Sequence, residues 1–403
     1  MATAIQNTSR HPAAPVAPFS VAHVVEGCQG GVGSAVRHLI VEQSRDPAIG
    51  EVHLLVDPRR MGEMLHGVPA TICEYESSRS PLRLLHVAQD LQQKLRTIAP
   101  DVVYLHSTFP GLYGRMLRSQ HAVSWATVYC AHGWAFTQKL PFAKKKFYTA
   151  VERLLAPRAD AVVSISYSEF DAAEKANVVA PLHRVIYHGV PQRKQSAPAP
   201  IQVDPERINL AFIGRFDRQK GLDLLLRVFA DPQLSHITLW LIGESTLGHK
   251  YIIPEQPNIK LIGWVPHGLI DDYIQCFDAV VVPSRWEGFG LIALEAMRNA
   301  RPVLASRTGG LAELLIDGVN GRLFNPDDPS DLLRVLRRLS KPELARMGAV
   351  ALDVFHTGFQ LTSCYSRWSA LTQDALARRT KARRATVAAS YLDPAPALTL
   401  EDS

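Results

Sequence analysis

Two successive runs of alternating strand-like and helical segments, separated by a polar, proline-rich break, constrain this chain more than any other feature. Apolar, β-branched runs read as strands at Val21–Glu26, Val52–Val56, Val102–His106, Ser124–Cys130 and Ala161–Ile165. Helical spacing fills the gaps at Ser34–Gln43, Leu82–Ile98, Gly111–Arg118 and Phe142–Ala156. The alternation stops over Val190–Glu206, where Pro191, Pro198 and Pro200 sit among polar residues as in a linker. It resumes with Asn209–Ile213, Leu222–Phe229, Thr238–Ile242, Ile259–Gly263, Leu269–Cys276, Ala279–Pro283, Leu291–Arg298, Val303–Ser306 and Leu311–Ile316. Strands that are apolar throughout and alternate with helices belong to parallel sheets covered on both faces. The expected fold class is α/β, with two Rossmann-like, doubly wound domains facing a cleft. A length of 403 residues also calls for two domains.

The expected boundaries follow from where the pattern changes. Residues 1–19 read as a disordered leader without the apolar core of a signal peptide, and 20–190 as the first domain. Residues 191–206 are the linker and 207–360 the second domain. A helix is expected over 361–377, with Tyr365, Trp368, Leu371 and Ala375 at helical spacing, and a basic, disordered tail over 378–403.

The segment Val280–Met297 carries the densest chemistry. An apolar run ends at Pro283, a glycine-punctuated turn follows, and a helical pattern begins near Leu291. Glu287 and Glu295 stand eight residues apart across that turn. A helix start after small residues, here Gly290 before Leu291, offers free backbone N–H groups and a positive dipole end to a phosphate. Carboxylates repel phosphate but accept hydrogen bonds from hydroxyls, so the loop as a whole suits a nucleotide-sugar.

Three other strand ends point into the same cleft. Gly30-Gly31-Val32-Gly33 follows the first strand and permits close backbone approach, though a tight turn alone would also want glycines. Gly214-Arg215-Phe216-Asp217-Arg218-Gln219-Lys220-Gly221 places Arg215 and Lys220 where both can converge on one diphosphate. His132, before Gly133, ends another strand, and His106 and His188 occupy similar positions among fifteen histidines. Gly288-Phe289-Gly290-Leu291-Ile292-Ala293 also fits G-x-G-x-x-A, but Ser306-Arg307-Thr308 stands where a nicotinamide site expects an acidic residue.

Composition narrows the setting. No apolar run approaches the roughly 18 residues of a membrane span. The five cysteines show no C-x-x-C spacing, which fits buried thiols in a reducing cytoplasm and neither a disulfide framework nor a zinc site. The chain has no D-x-D, and Asp271-Asp272 and Asp327-Asp328 suit helix starts. No metal and no other cofactor is therefore expected.

These residues resemble the retaining glycosyltransferases of family 4, which have the glycosyltransferase-B fold. The likeness runs from about Val21 to Ala377 and rests on EGFGLIALEAM, which holds the E-x7-E pair, and on GRFDRQKG. GGVG, AHG, Ser164-Ile165-Ser166, His188-Gly189-Val190, Thr308-Gly309-Gly310 with Glu313, and Gly318-Val319-Asn320-Gly321 support it. The resemblance implies an acceptor-binding first domain, a donor-binding second domain and a C-terminal helix that crosses back to the first. It implies that Gly214, Arg215 and Lys220 hold the donor diphosphate, with Gly31 opposite and the N–H groups of Leu291 and Ile292 on phosphate. Glu295 would bind ribose, Glu287 the transferred sugar, and His132 a hydroxyl at the reacting sugar. His132, Glu287, Arg215 and Lys220 are thus the expected catalytic group. Two positions depart from the family, which more often has asparagine at His188 and proline at Gly288.

The implied activity is retaining, metal-independent hexosyl transfer from a UDP- or GDP-sugar to a growing glycan. Alternatives on the same fold are a nucleotide-sugar epimerase, a phosphorylase or an inactive nucleotide-sugar-binding protein. The run from His132 to Ser166 further resembles bacterial capsule and exopolysaccharide enzymes, which implies a polyprenyl-linked acceptor. Between residues 138 and 158, Lys139, Lys144, Lys145, Lys146, Arg153 and Arg158 face only Glu152. Phe147, Ala150, Val151, Leu154 and Leu155 make that segment an amphipathic helix, packed on the sheet or laid on a membrane. With Arg378, Arg379, Lys381, Arg383 and Arg384 this gives an anionic membrane surface as a further partner. No nucleic-acid partner is expected. The expected location is cytoplasmic, peripheral on the inner membrane face, with Lys144, Lys145 and Lys146 on the acceptor side.

Overall fold

In the computed structural model, residues 17–27, 30–116, 123–193, 197, 199–245 and 251–392 are described. Seven strands form the first sheet: β1 (Phe19–Val25), β2 (Ile49–Val56), β3 (Thr71–Glu74), β4 (Val102–His106), β5 (Ala126–Cys130), β6 (Ala161–Ser164) and β7 (His183–Val185). Their order is β3-β2-β1-β4-β5-β6-β7, parallel throughout. Helices α1 (Gly31–Gln43), α2 (Leu84–Ile98), α3 (Thr108–Met116), α4 (Phe142–Leu155) and α5 (Tyr167–Lys175) connect them.

The second sheet holds β8 (Ile208–Ile213), β9 (Ile237–Ile242), β10 (Ile259–Gly263), β11 (Ala279–Val282), β12 (Val303–Ser306) and β13 (Gly321–Phe324), in the order β10-β9-β8-β11-β12-β13. Its helices are α6 (Leu222–Val228), α7 (Ile270–Ile274), α8 (Leu291–Arg298), α9 (Leu311–Leu314), α10 (Pro329–Arg337) and α11 (Lys341–Gly358). The central strands β4, β5, β11 and β12 are buried at every position, as parallel strands covered on both faces must be. The fold is α/β with two Rossmann-like domains. The strand order reverses between β1 and β4 in one sheet and between β8 and β11 in the other, and ligand crevices form at the carboxyl ends of such strands.

The chain passes between the domains twice, and the passages pair. Val190 N–H donates to Phe359 O at 3.2 Å and Leu361 N–H to Val190 O at 3.0 Å. A Cβ on Gly189 would lie 2.8 Å from Leu361 Cα, so this crossing requires a residue without a side chain. Helix α12 (Leu361–Leu392) then packs back on the first domain. Tyr365 donates to Asp46 Oδ2 at 2.6 Å, Tyr104 and Thr372 hydroxyls meet at 2.5 Å, and Trp368, Leu371 and Ala375 enter an apolar core that also holds residues of both sheets.

Three strands and, besides α5, two helices lie outside the expected alternation. β3 and β7 are edge strands without a buried residue, so neither carries an apolar run. β13 begins at Gly321, where a Cβ would meet Val303 O at 2.4 Å, and a glycine opening a strand reads as a turn. α10 and α11 follow it where the expectation had no elements. The leader also ends earlier than expected, because Phe19 already pairs with Ile49; residues 1–16 and Cys28 lie outside the described residues. The basic tail is corrected too: α12 continues to Leu392, since Ala, Arg and Lys are strong helix formers. Residues 393–403 lie outside the described residues.

Candidate active site

Most of the predicted site residues follow the carboxyl ends of strands at or next to the two reversal points. β1 leads to Gly30 and Gly31, β5 to His132, β8 to Gly214 and Arg215, and β11 to Glu287 and the start of α8. The two walls are close. A Cβ on Gly31 would lie 3.9 Å from Leu291 Cδ1, and one on Gly30 would lie 4.0 Å from Arg215 Nη1.

On the second domain the cations are held by their own loop. Arg215 donates through Nε to Asp217 Oδ2 at 2.8 Å and through Nη2 to Gln219 Oε1 at 3.0 Å, leaving Nη1 toward Gly30. Lys220 donates to Glu287 Oε2 at 2.6 Å, and Ser284 Oγ donates to the same oxygen at 3.1 Å. An ammonium has three N–H bonds, so this pairing leaves two for an anion. Ala293 is the first α8 amide to reach a backbone carbonyl, Gly290 O at 2.9 Å, and the Leu291 and Ile292 amides form the open end. Below the loop, Gly309 at φ 48° lies where a Cβ would come within 1.9 Å of Glu287 O, which makes it irreplaceable there.

Glu295 is buried and accepts from His267 Nε2 at 3.0 Å. Burial opposes its ionisation, but the His267 hydrogen bond and the nearby Arg298 charge outweigh that and lower its pKa. The same bond, against desolvation, raises His267. Glu295 is therefore a fixed carboxylate, able to accept from hydroxyls. Nothing in the sequence pattern marked His267.

The first-domain wall differs from expectation. His132, at φ 52°, has both ring nitrogens engaged: Nε2 meets His106 Nδ1 at 2.9 Å and Nδ1 meets His188 Nε2 at 3.3 Å. Its ring is thus closed to a direct hydroxyl bond, contrary to the role expected for it. Burial lowers its pKa to about 4. His23, on β1, extends the row with Nδ1 2.9 Å from His106 Nε2, a position that only an inward-facing imidazole in an apolar strand could have signalled.

One acidic residue joins the domains and a second lies buried at their contact. Glu313, on α9, accepts from Tyr167 N–H at 2.9 Å, Ser168 N–H at 2.6 Å and the Tyr187 hydroxyl at 2.9 Å, capping the start of α5 from the opposite domain. Glu169 is buried with Oε1 unpaired, and burial pushes its pKa up to about 8. A Cβ on Gly288 would lie 3.0 Å from that oxygen and 3.1 Å from Ile165 Cδ1. The departure from proline at 288 thus has a steric cause.

The lysines Lys144, Lys145 and Lys146 lie apart from these loops, at the start of α4. Phe142, Phe147 and Leu154 on that helix are exposed, while Leu155 is buried. Arg115 and Tyr129 both bond the buried Glu152 at 2.9 Å, which anchors the inner face. Lys139 pairs with Asp327 at 3.0 Å across the domains, and Arg153 and Arg158 bond the carbonyls of Ala176 and Met116. No helix among the described residues is long and apolar enough to cross a membrane.

Two doubly wound domains that bring arginine, lysine, a helix start and two carboxylates to one cleft define a sugar-transferring class. Residues 207–341 match the family described as glycosyl transferases group 1, and residues 30–189 the glycosyl transferase 4-like domain. The chain carries a domain of each of these two glycosyltransferase families. It is 29% identical over 327 residues to an uncharacterized 41.2 kDa protein of the cps region of Klebsiella pneumoniae, covering 79% of this chain and 89% of that one. Sucrose-phosphate synthase from Thermosynechococcus elongatus has the same fold, with a TM-score of 0.77 at 19% identity over 89% of this chain and 100% of that one. HepE of Anabaena, solved with UDP and glucose, superposes with a TM-score of 0.70 at 18% identity, covering 88% and 99%.

Proposed function

We propose that this glycosyltransferase moves a hexose, with retention and without a metal, from a nucleoside-diphosphate-sugar to a lipid-linked glycan of capsule or exopolysaccharide type. The convergence of Arg215, Lys220 and the α8 start beneath Gly30 and Gly31 carries the reading. Likeness to a UDP-binding neighbour and to a cps-region protein supports the donor and the pathway class. The bond from sugar C1 to phosphate breaks as the acceptor oxygen bonds C1 from the same face, and the acceptor proton passes to the leaving phosphate. Arg215, Lys220 and the Leu291 and Ile292 amides meet the charge that develops there, where fixed dipoles act most strongly. Glu295 takes the ribose and Glu287 the sugar hydroxyls, while Gly214, Gly290 and Gly31 let backbone approach. His132 acts as part of the wall.

The enzyme works at the inner face of the cytoplasmic membrane, with Lys144, Lys145 and Lys146 on anionic headgroups and Phe142, Phe147 and Leu154 beside them. The deciding experiment incubates the protein with UDP-glucose, UDP-galactose and GDP-mannose, with and without polyprenyl-diphosphate-linked sugar. Nucleoside diphosphate release that depends on the lipid, with an α-configured product, is expected. Release that ignores the lipid, or an inverted product, refutes the proposal.

A further inference from the structure

Four imidazoles form one hydrogen-bonded row from the core to the cleft. His23 Nδ1 meets His106 Nε2 at 2.9 Å, His106 Nδ1 meets His132 Nε2 at 2.9 Å, and His132 Nδ1 meets His188 Nε2 at 3.3 Å. Neighbouring rings lie about 5 Å apart, the two ends nearly parallel: 5.2 Å and 13° for His23–His106, and the same for His132–His188. Burial first, and for His106 and His188 the neighbouring imidazoles as well, holds all four pKa values below the usual histidine value. The rings are therefore neutral near pH 7, each with one donor and one acceptor.

The inner end sets the direction of the row. Thr372 donates its only hydroxyl proton to Trp368 O at 2.7 Å, so the Tyr104 hydroxyl, 2.5 Å away, donates to Thr372. Gln43 turns its carbonyl oxygen Oε1 toward His23 Nε2 at 2.6 Å. His23 must donate to it from Nε2. Then His106, His132 and His188 each donate from Nε2 to the Nδ1 of the ring before. His188 Nδ1 is left with a lone pair and no partner among the described residues, and it is not sealed from solvent. The His188 ring stands edge-on to Phe289, 5.9 Å away, in the loop of Glu287. Because the inner end is a carbonyl, the row cannot pass protons on; it fixes tautomers.

We propose that His188 Nδ1 accepts a hydrogen bond from a hydroxyl of the transferred sugar, and that His132, His106, His23 and Gln43 are positioning residues that lock it as a pure acceptor. This rests on the nucleotide-sugar reading of the cleft. It also gives a chemical reason for histidine where the family more often has asparagine: the imidazole completes the row.

Two measurements on the full chain test it. In 15N-histidine-labelled protein at pH 7, long-range 1H–15N correlations, assigned by single His→Gln replacements, should show all four rings protonated at Nε2. Protonation at Nδ1 in any of the four overturns the lock. Calorimetry compares UDP-glucose with UDP, which has no hexose. His188→Ala should weaken UDP-glucose about tenfold, about 1.4 kcal/mol, and leave UDP within twofold, with His188→Asn restoring the affinity. Gln43→Met should reproduce the tenfold loss from a distance, and Gln43→Glu, which keeps the acceptor, should restore it. Unchanged UDP-glucose binding in His188→Ala, or equal losses for UDP and UDP-glucose in a variant that melts like wild type, overturns the assignment. Should wild type bind neither UDP nor UDP-glucose, GDP and GDP-mannose replace them. Failure of both pairs refutes the nucleotide-sugar reading itself and the sugar contact with it, while the tautomer spectrum still judges the lock.

Discussion

Lys220 has two tasks that substitution can separate. It is paired with Glu287 at 2.6 Å, with side chains 21% and 13% exposed, and it is assigned to the donor diphosphate. Lys220→Met leaves the Glu287 carboxylate with Ser284 Oγ as its hydrogen-bond donor. Stranding a fully buried charge costs about 3–5 kcal/mol. Partial exposure reduces this to about 1–2 kcal/mol, a melting shift of roughly 3–6 °C. Loss of a cation at the leaving group should lower kcat by about 10²–10³. Glu287→Gln in the same chain removes the stranded charge, so Lys220→Met/Glu287→Gln should melt close to wild type and remain slow. Thermal melts and nucleoside diphosphate release on both single variants and the double complete the cycle. Recovery of turnover together with stability in the double variant would falsify the phosphate role, because it would reduce Lys220 to a counter-ion for Glu287.

Glu169 should impose a pH slope on stability. Its folded pKa, raised to about 8 by burial, exceeds the unfolded value, so the native state holds a proton that the unfolded chain releases. The resulting stability is full below the unfolded pKa and declines as pH rises toward 8, by at most about 1.4 kcal/mol per pH unit. Glu169→Gln should flatten that slope in urea melts between pH 5 and 8, and an unchanged slope would reject the assignment. Gly288→Ala, whose Cβ would press on Glu169 Oε1 and Ile165, should cost about 1–3 kcal/mol and be partly relieved by Glu169→Ala; no cost would mean that the interface yields freely. Changing Lys144, Lys145 and Lys146 to glutamate should abolish sedimentation with phosphatidylglycerol vesicles, each lysine contributing about 1 kcal/mol, with the melting temperature retained. Equal sedimentation would end the membrane proposal.

Much of this architecture was legible because buried parallel strands announce themselves. Val102–His106 and Val303–Ser306 were read at their observed limits, since every side chain in them faces a covered sheet. β3 and β7 were invisible for the converse reason: an edge strand exposes much of its length and needs no apolar run. At the site, glycines and cations marked the loops, because tight turns and the proposed diphosphate partner favour those residue types. Partnerships were not legible. That Lys220 holds Glu287, that Glu295 holds His267, and that His132 turns both nitrogens inward depend on residues 26 to 67 positions apart. The histidine row was hardest to foresee: one member lies within a strand, and the other three end separate segments.

The paired passages at Val190 and Phe359–Leu361 make the junction between the lobes a pin and not a tether. Two leaves on one pin swing but cannot slide past one another, and displacement grows with radius. His188 and Gly189 lie next to the pin in the chain, so they keep their neighbours through a swing. A long reach across the gap, such as Lys139 to Asp327, would part first in such a swing. On the proposed nucleotide-sugar reading, such a swing would free a departing nucleotide at the rim while the imidazole row stays seated.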